Sequence, residues 1–582
     1  LDLSTVFDGV STLNIVAAAE VDIKAPTTAD INVSGVTGGI EVIGGASQTV
    51  TSTEAASAIH LSDSEGAVSV TSTKQAAQAI TVNDGTDVTI TAAADTNGGT
   101  GAITVGGAGT QPSGDVVITR DLKVDGASSG NVTSGAINVT GGKTVDVTVN
   151  STIAAKDKTA DKDITNGDVT VTAGDKTTDV TVTQNSTVTE FVTPETALVQ
   201  GQSVITFKAM EAGQALSIDG LSFHATKALT AEEVAAAFSN LTAIDTQAAG
   251  GKTANGYYTG SLSTTDLTSG AANGNKVTFF AADETAMAFT TGDYSDIGAG
   301  KIVGYLTADN SEVDAIEPDA PVKVDGTAAV VETATSNTVI YGNVVINDNA
   351  TASIKTVTLD GYKDATIGNT NELTELTTVS LSNSSGANII DNGATATALT
   401  LNLNNITGAT NIDNGAASVT DLTINTTGAA SATALTAAEV TDLTIDAAVD
   451  LNMTGSTFTK LENATIAGAG AVVLDGTVDD TLKSINAADN EGGVTATIKG
   501  NVVVTGGTGD DNISLTNDTI TKDIKLGAGN DTLTLAAGTT AGKISATIDG
   551  GEGDFDILAM SFADAVAVSA TADFHTKVTG FE

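Results

Sequence analysis

The sequence predicts a mainly β protein built as a parallel β-solenoid, with about 20–23 residues in each rung. Three observations support this fold class. Apolar residues recur as short apolar–x–apolar triplets, Gly, Asn, Asp and Ser separate those triplets, and residues 8–190 contain no Phe, Tyr or Trp. Each triplet has the alternation of a short strand with one buried face. A fixed period of this length that holds short strands and turn residues is typical of a solenoid.

The triplets fall into two interleaved series in the N-terminal part of the chain, and they return after residue 350. The first series is Ile40–Val42, Ile59–Leu61, Ile80–Val82 and Ile103–Val105, and the second is Val68–Val70, Val88–Ile90 and Val116–Ile118. The later triplets are Leu399–Leu401, Leu422–Ile424, Leu443–Ile445, Ala464–Ile466 and Ser484–Asn486. We expect equivalent triplets to stack on one another at the spacing of hydrogen-bonded strands, about 4.8 Å.

A string of immunoglobulin-like sandwiches is the alternative fold. Strands in such sandwiches recur every 8–12 residues, and some of the predicted strands of this chain have that spacing. Each sandwich, however, usually buries an aromatic residue. The long stretch without aromatic residues therefore favours the solenoid.

Residues 191–322 differ from the rest of the chain, because eleven of the nineteen aromatic residues lie between Phe191 and Lys323. The segment Thr230–Leu241 predicts a helix, with Thr230 as N-cap and Val234 and Phe238 on its apolar face. We therefore predict one interposed α+β domain. The expected division is a solenoid segment at 1–190, this domain at 191–322, a second solenoid segment at 323–503 and a solenoid continuation with calcium-type turns at 504–582.

The charge of the chain excludes several classes of partner. Acidic residues outnumber Lys and Arg by 71 to 24, and the formal net charge is −47. A nucleic-acid-binding protein needs a basic surface, so we expect no nucleic-acid partner. Multivalent cations are the natural partners of such a negative field. Cys is absent, which favours an exported protein without disulfides, and no apolar run is long enough to span a membrane.

Three turns near the C-terminus predict calcium binding. Residues 506–514 fit the pattern G-G-x-G-x-D-x-U-x, and residues 526–533 repeat it with Leu526 in place of the first Gly. Residues 550–557 follow with their aspartates displaced by one position. Gly lets such a turn adopt left-handed dihedral angles, so that carbonyl groups point inward, and Asp adds the carboxylate oxygen that calcium prefers. Ordinary Gly/Asp turns are the alternative interpretation.

The candidate metal ligands come from these three turns. Asp511 and Asp531 are the principal candidates. The Gly positions that shape the turns and the secondary candidates are Gly507, Gly509, Gly527, Gly529, Asp510, Asn530, Asp554 and Asp556.

No catalytic constellation is recognisable, and we predict that the chain is not an enzyme. Residues 126–130 match the nucleophile pattern G-x-S-x-G, but the sequence that follows predicts a strand instead of the required helix. The three His residues, His60, His224 and His575, are far apart in the sequence, and the zinc-protease pattern H-E-x-x-H does not occur.

A long, acidic, Cys-free chain, rich in Thr, Ala and Gly, with the turns at 506–557 resembles the RTX-type surface-layer (S-layer) proteins that Gram-negative bacteria secrete by the type I pathway. The resemblance implies a secreted, extracellular protein on the cell surface, with calcium as its cofactor and copies of itself as its partner. It also implies a secretion signal beyond Glu582 and attachment to lipopolysaccharide through a region outside this chain. Residues 578–582 read as the start of a further strand, so we expect a fragment of a longer protein.

Two other functions remain open from the sequence. A calcium-stiffened RTX adhesin would use the solenoid as a stalk and the domain at 191–322 as its binding head. Tyr257 and Tyr258 would suit a binding face if they were exposed, but we expect them to be buried in the core of that domain. A secreted filament-forming matrix protein would differ from an S-layer only in the symmetry of its assembly.

Overall fold

A computed structural model describes the chain except for residues 6–8, 17–18, 54–56, 95–98, 108, 126–130, 155–161, 190–191, 194–198, 242–252, 263–266, 283–289, 293–300, 304–318, 325–332, 335, 349–352, 369–372, 394–395, 413–418, 475–476, 479–480 and 570–571. The G-x-S-x-G match at 126–130 lies outside the described residues. The chain forms two compact units, one made of Leu1–Phe191 with Thr335–Glu582 and the other of Val192–Ala334.

The first unit is a parallel β-solenoid, which confirms the predicted fold class. Its longest sheet has nineteen described strands, and every neighbouring pair is parallel. In hydrogen-bonded order they are Thr12–Val16, Asp30–Ser34, Ser47–Ser52, Val68–Gln75, Val88–Ala94, Val116–Asp125, Thr144–Ala154, Asp179–Thr189, Thr356–Asp360, Thr378–Ser384, Ala398–Ile406, Asp421–Thr426, Asp442–Ala447, Asn463–Gly468, Ser484–Asn490, Val503–Thr505, Ile524–Lys525, Ile548–Asp549 and Val578–Thr579. We call this the first sheet.

A second parallel sheet of fourteen described strands runs through the same unit. Its strands are Val21–Lys24, Ile40–Ile43, Ile59–Ser64, Ile80–Asp84, Ile103–Val105, Ile137–Thr140, Val169–Thr172, Val344–Asn347, Ala365–Ile367, Asn388–Ile390, Thr410–Ile412, Leu435–Thr436, Thr457–Phe458 and Thr477–Val478. In the rungs before residue 479, a consecutive pair of strands, one from each sheet, makes most of one rung.

Shorter parallel strands complete some of the rungs. A set of three comprises Val132–Thr133, Asp163–Thr165 and Thr338–Ile340. A set of seven, which we call the third sheet, comprises Ser431–Ala432, Leu451–Asn452, Val472–Leu474, Val494–Ile498, Asn512–Leu515, Thr532–Thr534 and Ile557–Ala559. The last rungs also contain the helices Phe562–Ser569 and Ala572–Lys577 and the 3₁₀ turn Ala541–Lys543.

The apolar triplets occupy the register positions that the period predicts. Ile40, Ile59 and Ile80 are aligned across the second sheet, and Val68 and Val88 across the first. These side chains are almost fully buried, and together they form one continuous core. The parallel pairing makes the sandwich alternative wrong.

Two details of the predicted repeat are wrong. The triplet Ser484–Asn486 is out of phase by one residue, because Ile485 aligns with Ala464 and points into the core. A one-residue shift moves every side chain of a strand to the other face, and the single apolar residue decides which face is buried. Some rungs also exceed the predicted 20–23 residues, such as the rung in which Ile103 is aligned with Ile137. The strands of the first sheet are longest there, and the three-stranded set is added.

The solenoid continues across the interposed unit. Val169 is aligned with Val344 in the second sheet, and Val180 with Val357 in the first. The rungs on either side of residues 192–334 are therefore direct neighbours. The stack of parallel strands is uninterrupted although the chain leaves it and returns.

The second unit, Val192–Ala334, is an α+β domain. It contains the antiparallel pair Val192–Thr193 and Thr333–Ala334, a sheet of Thr268–Ser269, Lys276–Phe280, Gln202–Thr206 and Asp319–Val324, and a sheet of Gly256–Gly260, Leu221–Ala225, Ala215–Ile218, Lys301–Val303 and Thr290–Gly292. The helix spans Ala231–Ala237, shorter than predicted. Thr230 caps it through a capping box with Glu233. Phe207, Phe223, Phe238 and Phe279 form the centre of this core.

Candidate functional site

The predicted calcium turns lie at the start of the last three strands of the third sheet. Asp511 precedes the strand Asn512–Leu515, Asp531 precedes Thr532–Thr534, and Asp556 precedes Ile557–Ala559. The parallel pairing aligns Asn512 with Thr532 and Thr532 with Ile557, so the three aspartates stack on consecutive rungs. We call this set the aspartate ladder.

Each carboxylate in the ladder accepts a hydrogen bond from the backbone of the preceding rung. The Asp511 N–H donates to Asp531 Oδ1 at 2.7 Å, and the Asp531 N–H donates to Asp556 Oδ1 at 2.9 Å. Asp511 Oδ1 accepts from the Val494 N–H at 2.6 Å, and its Oδ2 accepts from the Gly507 N–H at 3.3 Å. The ladder therefore joins four rungs through carboxylate–backbone bonds.

The three carboxylates are buried, which is costly for ionised groups. Asp511, Asp531 and Asp556 are 3%, 0% and 2% exposed. Burial raises the pKa of Asp511 to about 6. Burial also raises the pKa of Asp531 to about 6, and the charges of Asp511, Asp556 and Asp510 add to that rise. Stacked anions in a dry interior favour either protonation or a bound cation.

Asp531 has a free oxygen atom inside this ladder. Its Oδ2 is buried and has no hydrogen-bond partner among the described residues. Buried polar atoms in native proteins are almost always satisfied by a protein group, a water or an ion. Calcium prefers hard oxygen ligands of this kind, and Asp531 therefore fits the predicted cofactor. The fit is partial, because both oxygens of Asp511 already accept hydrogen bonds and no group of three or more Asp, Glu or His side chains in the described residues has a metal-binding arrangement.

The Gly residues of the turns stack in two columns next to the ladder. A side chain on Gly527 would overlap the carbonyl oxygen of Gly507, and one on Gly529 would lie 2.7 Å from the carbonyl oxygen of Gly509. Gly527 also has a left-handed φ of +106°, which side-chain-bearing residues rarely adopt. The predicted Gly positions are therefore required by the close approach of successive turns.

The secondary candidates separate into two groups. Asp556 belongs to the ladder, whereas Asp554 is exposed and lies outside it. Asp510 and Asn530 are also exposed, and the Asn530 N–H donates to Asp510 Oδ1 at 2.7 Å. The third turn holds one more residue between its last Gly and the ladder Asp than the first two turns do. The strand register aligns the apolar residues two positions after the Asp, Ile513, Leu533 and Leu558, and this register selects Asp556 over Asp554.

Other residues of interest lie away from the ladder. In the second unit, Tyr258 is buried, whereas Tyr257 is 36% exposed and stacks on His224 with ring centroids 4.7 Å apart. Sequence reasoning also missed the position of Arg120, which is 1% exposed inside the solenoid. No helix in the described part of the chain is both long and apolar enough to cross a lipid bilayer.

Comparison with known proteins adds no family assignment. No protein-family model matches the chain, and no curated protein is detectably similar to it in sequence.

Proposed function

We propose that this chain is a non-enzymatic, calcium-binding structural protein, secreted to a bacterial cell surface, whose copies assemble there into a two-dimensional layer. The observation that carries the proposal is the aspartate ladder, in which a buried oxygen of Asp531 has no hydrogen-bond partner among the described residues. Calcium at Asp531 would neutralise the stacked carboxylates and stabilise the last rungs. The net charge of −47 would make calcium favourable between copies as well.

Exposed apolar side chains close to the ladder support self-association. Phe555, directly before the ladder residue Asp556, is 72% exposed, and Phe562 and Val566 on the following helix are 85% and 57% exposed. The one charged residue of that helix, Asp564, is buried and accepts a hydrogen bond from the Gly538 N–H. Large apolar groups that remain exposed often mark protein–protein contacts. Without calcium, the repulsion between two strongly acidic copies opposes such a contact.

Electron microscopy of the purified chain tests this function. We expect ordered sheets in millimolar calcium and dispersed particles after addition of a chelator. Single rods would favour the adhesin stalk, and fibres would favour a matrix filament. Hydrogen exchange on the same samples should show protection at residues 504–582 that depends on calcium. Assembly and exchange that do not respond to the chelator would contradict the proposal.

A further inference from the structure

The strongest unexplained feature outside the ladder is a polar cluster inside the N-terminal half of the solenoid. At one corner of several rungs a Gly lies two residues before the strand of the second sheet, as Gly101 lies before Ile103 and Gly135 before Ile137. A side chain on Gly135 would come within 2.8 Å of the Gly101 carbonyl oxygen, so these glycines stack closely. Their carbonyl groups accept hydrogen bonds from side chains inside the solenoid, where no bulk water competes.

One such corner is fully satisfied by a single amide. Gln184 Nε2 donates to the Gly342 carbonyl at 3.0 Å, and its Oε1 accepts from the Gly342 N–H at 2.9 Å and from Asn166 Nδ2 at 3.0 Å. Asn166 Oδ1 in turn accepts from Ser151 Oγ at 2.7 Å. Every polar atom of Gln184 and Asn166 therefore has a protein partner.

Arg120 occupies the same column of the first sheet, because it is aligned with Val149 and Val149 is aligned with Gln184. Its Nη2 donates to the Gly101 carbonyl at 2.8 Å, and its Nη1 donates to the Gly135 carbonyl. Desolvation lowers its pKa to about 10, which still leaves it charged at neutral pH. No ion pair joins it to a carboxylate among the described residues.

Three buried polar atoms of this cluster have no partner in the described part of the chain. They are Arg120 Nε, Gln75 Oε1 and Thr100 Oγ1, on residues that are 1%, 3% and 6% exposed. All three residues surround Gly101. Arg120 and Gln75 both donate to its carbonyl, Gln75 at 3.3 Å, and Thr100 is its neighbour in the chain. The aligned residue on the preceding rung is the small Ala92, which leaves the Arg120 side chain little steric competition.

We propose that this cluster is a built binding site for one ordered water molecule, which joins Arg120 Nε, Gln75 Oε1 and Thr100 Oγ1. Water matches the chemistry of the three atoms, because it accepts from the guanidinium and the hydroxyl and donates to the amide oxygen. Buried waters typically make about three such bonds. A small anion would match the charge of Arg120, but it would face the Gln75 oxygen and the field of a chain with net charge −47.

The site would hold consecutive rungs together without calcium. Gln75, Thr100 and Arg120 come from successive rungs, and the water would complete a hydrogen-bonded network among them. The N-terminal rungs would thus keep their register through buried polar contacts, whereas the last rungs depend on the aspartate ladder. This inference does not depend on the proposed function.

A crystal structure of the full chain at a resolution that shows waters, with bromide in place of chloride, tests the site. We expect a density peak within hydrogen-bonding distance of the three atoms and no anomalous bromide signal there. A bromide signal at the site would show that an anion binds there instead of water, and it would overturn the proposal. A site without density would overturn it as well.

A solution experiment covers variants that do not crystallise. We compare the thermal unfolding midpoint of the solenoid, measured in chelator, for the single variants Thr100→Val and Arg120→Met and for the double variant. If one water joins the two residues, the thermal midpoint of the double variant should fall by less than the sum of the decreases in the two single variants. The matched control pairs Thr100→Val with Gln184→Met, which belongs to the corner already satisfied by protein groups, and these two losses should add. Additive losses in both pairs would overturn the proposal.

Discussion

Replacement of Asp531 by Asn tests the ladder at its most informative position. The change removes the charge and the Oδ2 atom that has no partner in the described part of the chain, while the remaining amide oxygen can still accept from the Asp511 N–H. A pKa of about 6 in place of 3.8 means that burying ionised Asp531 costs on the order of 3 kcal/mol at neutral pH. Without calcium we therefore expect Asp531→Asn to leave the last rungs as stable as before, or more stable.

With calcium the order of stability should reverse. Calcium sites of extracellular modules typically bind with Kd of about 10⁻⁴–10⁻³ M, and we expect the proposed site to fall in this range. Calcium at 100 times Kd adds about 2.7 kcal/mol for each site, and the variant should lose a contribution of this size. A calcium titration followed by hydrogen exchange at residues 504–582 measures the difference. The calcium concentration at the midpoint of this titration should be about tenfold higher or more for the variant, if calcium binding weakens by at least about 1.4 kcal/mol.

Asp554→Asn is the matched control, because it removes the same charge from an exposed position outside the ladder. Its calcium midpoint should stay close to that of the unmodified chain. If the calcium midpoint changes equally in both variants, the change in net charge and not the ladder explains the effect. If neither shifts, calcium does not bind at the ladder, and the reasoning from the buried oxygen is refuted.

Three further predictions concern the last rungs of the solenoid and the exposed helix that follows the ladder. In chelator, the stability of the last rungs should fall as pH rises from about 4 to 7, because the folded state holds protons on Asp511 and Asp531 that the unfolded state releases. Urea unfolding at several pH values measures this dependence. A stability that does not change with pH would contradict the raised pKa values. Gly527→Ala should destabilise the turn by about 1–3 kcal/mol, whereas Gly542→Ala should be nearly neutral, since no atom of the described residues lies within 4 Å of its added methyl. Phe562→Ser should weaken assembly in electron micrographs without changing the calcium midpoint, and unchanged sheets would exclude that side chain from the contact.

The sequence predicted the repeat and much of its register. Triplets such as Ile59–Leu61 can bury only one face, so equivalent triplets must stack in phase, and the structure aligns them accordingly. Where the apolar signal is a single residue, as at Ile485, the phase could not be predicted from a triplet pattern. In the candidate site, the Gly and Asp spacing located Asp511 and Asp531 but did not choose between Asp554 and Asp556 for the third member of the ladder.

The sequence by itself predicted the fold class, because short alternating apolar triplets at a similar period, without aromatic residues at 8–190, favour a parallel solenoid over a string of sandwiches. It also determined which turns are rich in Gly and Asp. Only the tertiary structure decided that Asp556 joins the ladder while Asp554 stays in solvent, since the alignment of strands and not the count from the last Gly sets which carboxylate is buried. Tertiary structure likewise placed Arg120 inside the solenoid, because the carbonyls that hold it come from Gly101 and Gly135, on two different rungs that are distant in sequence.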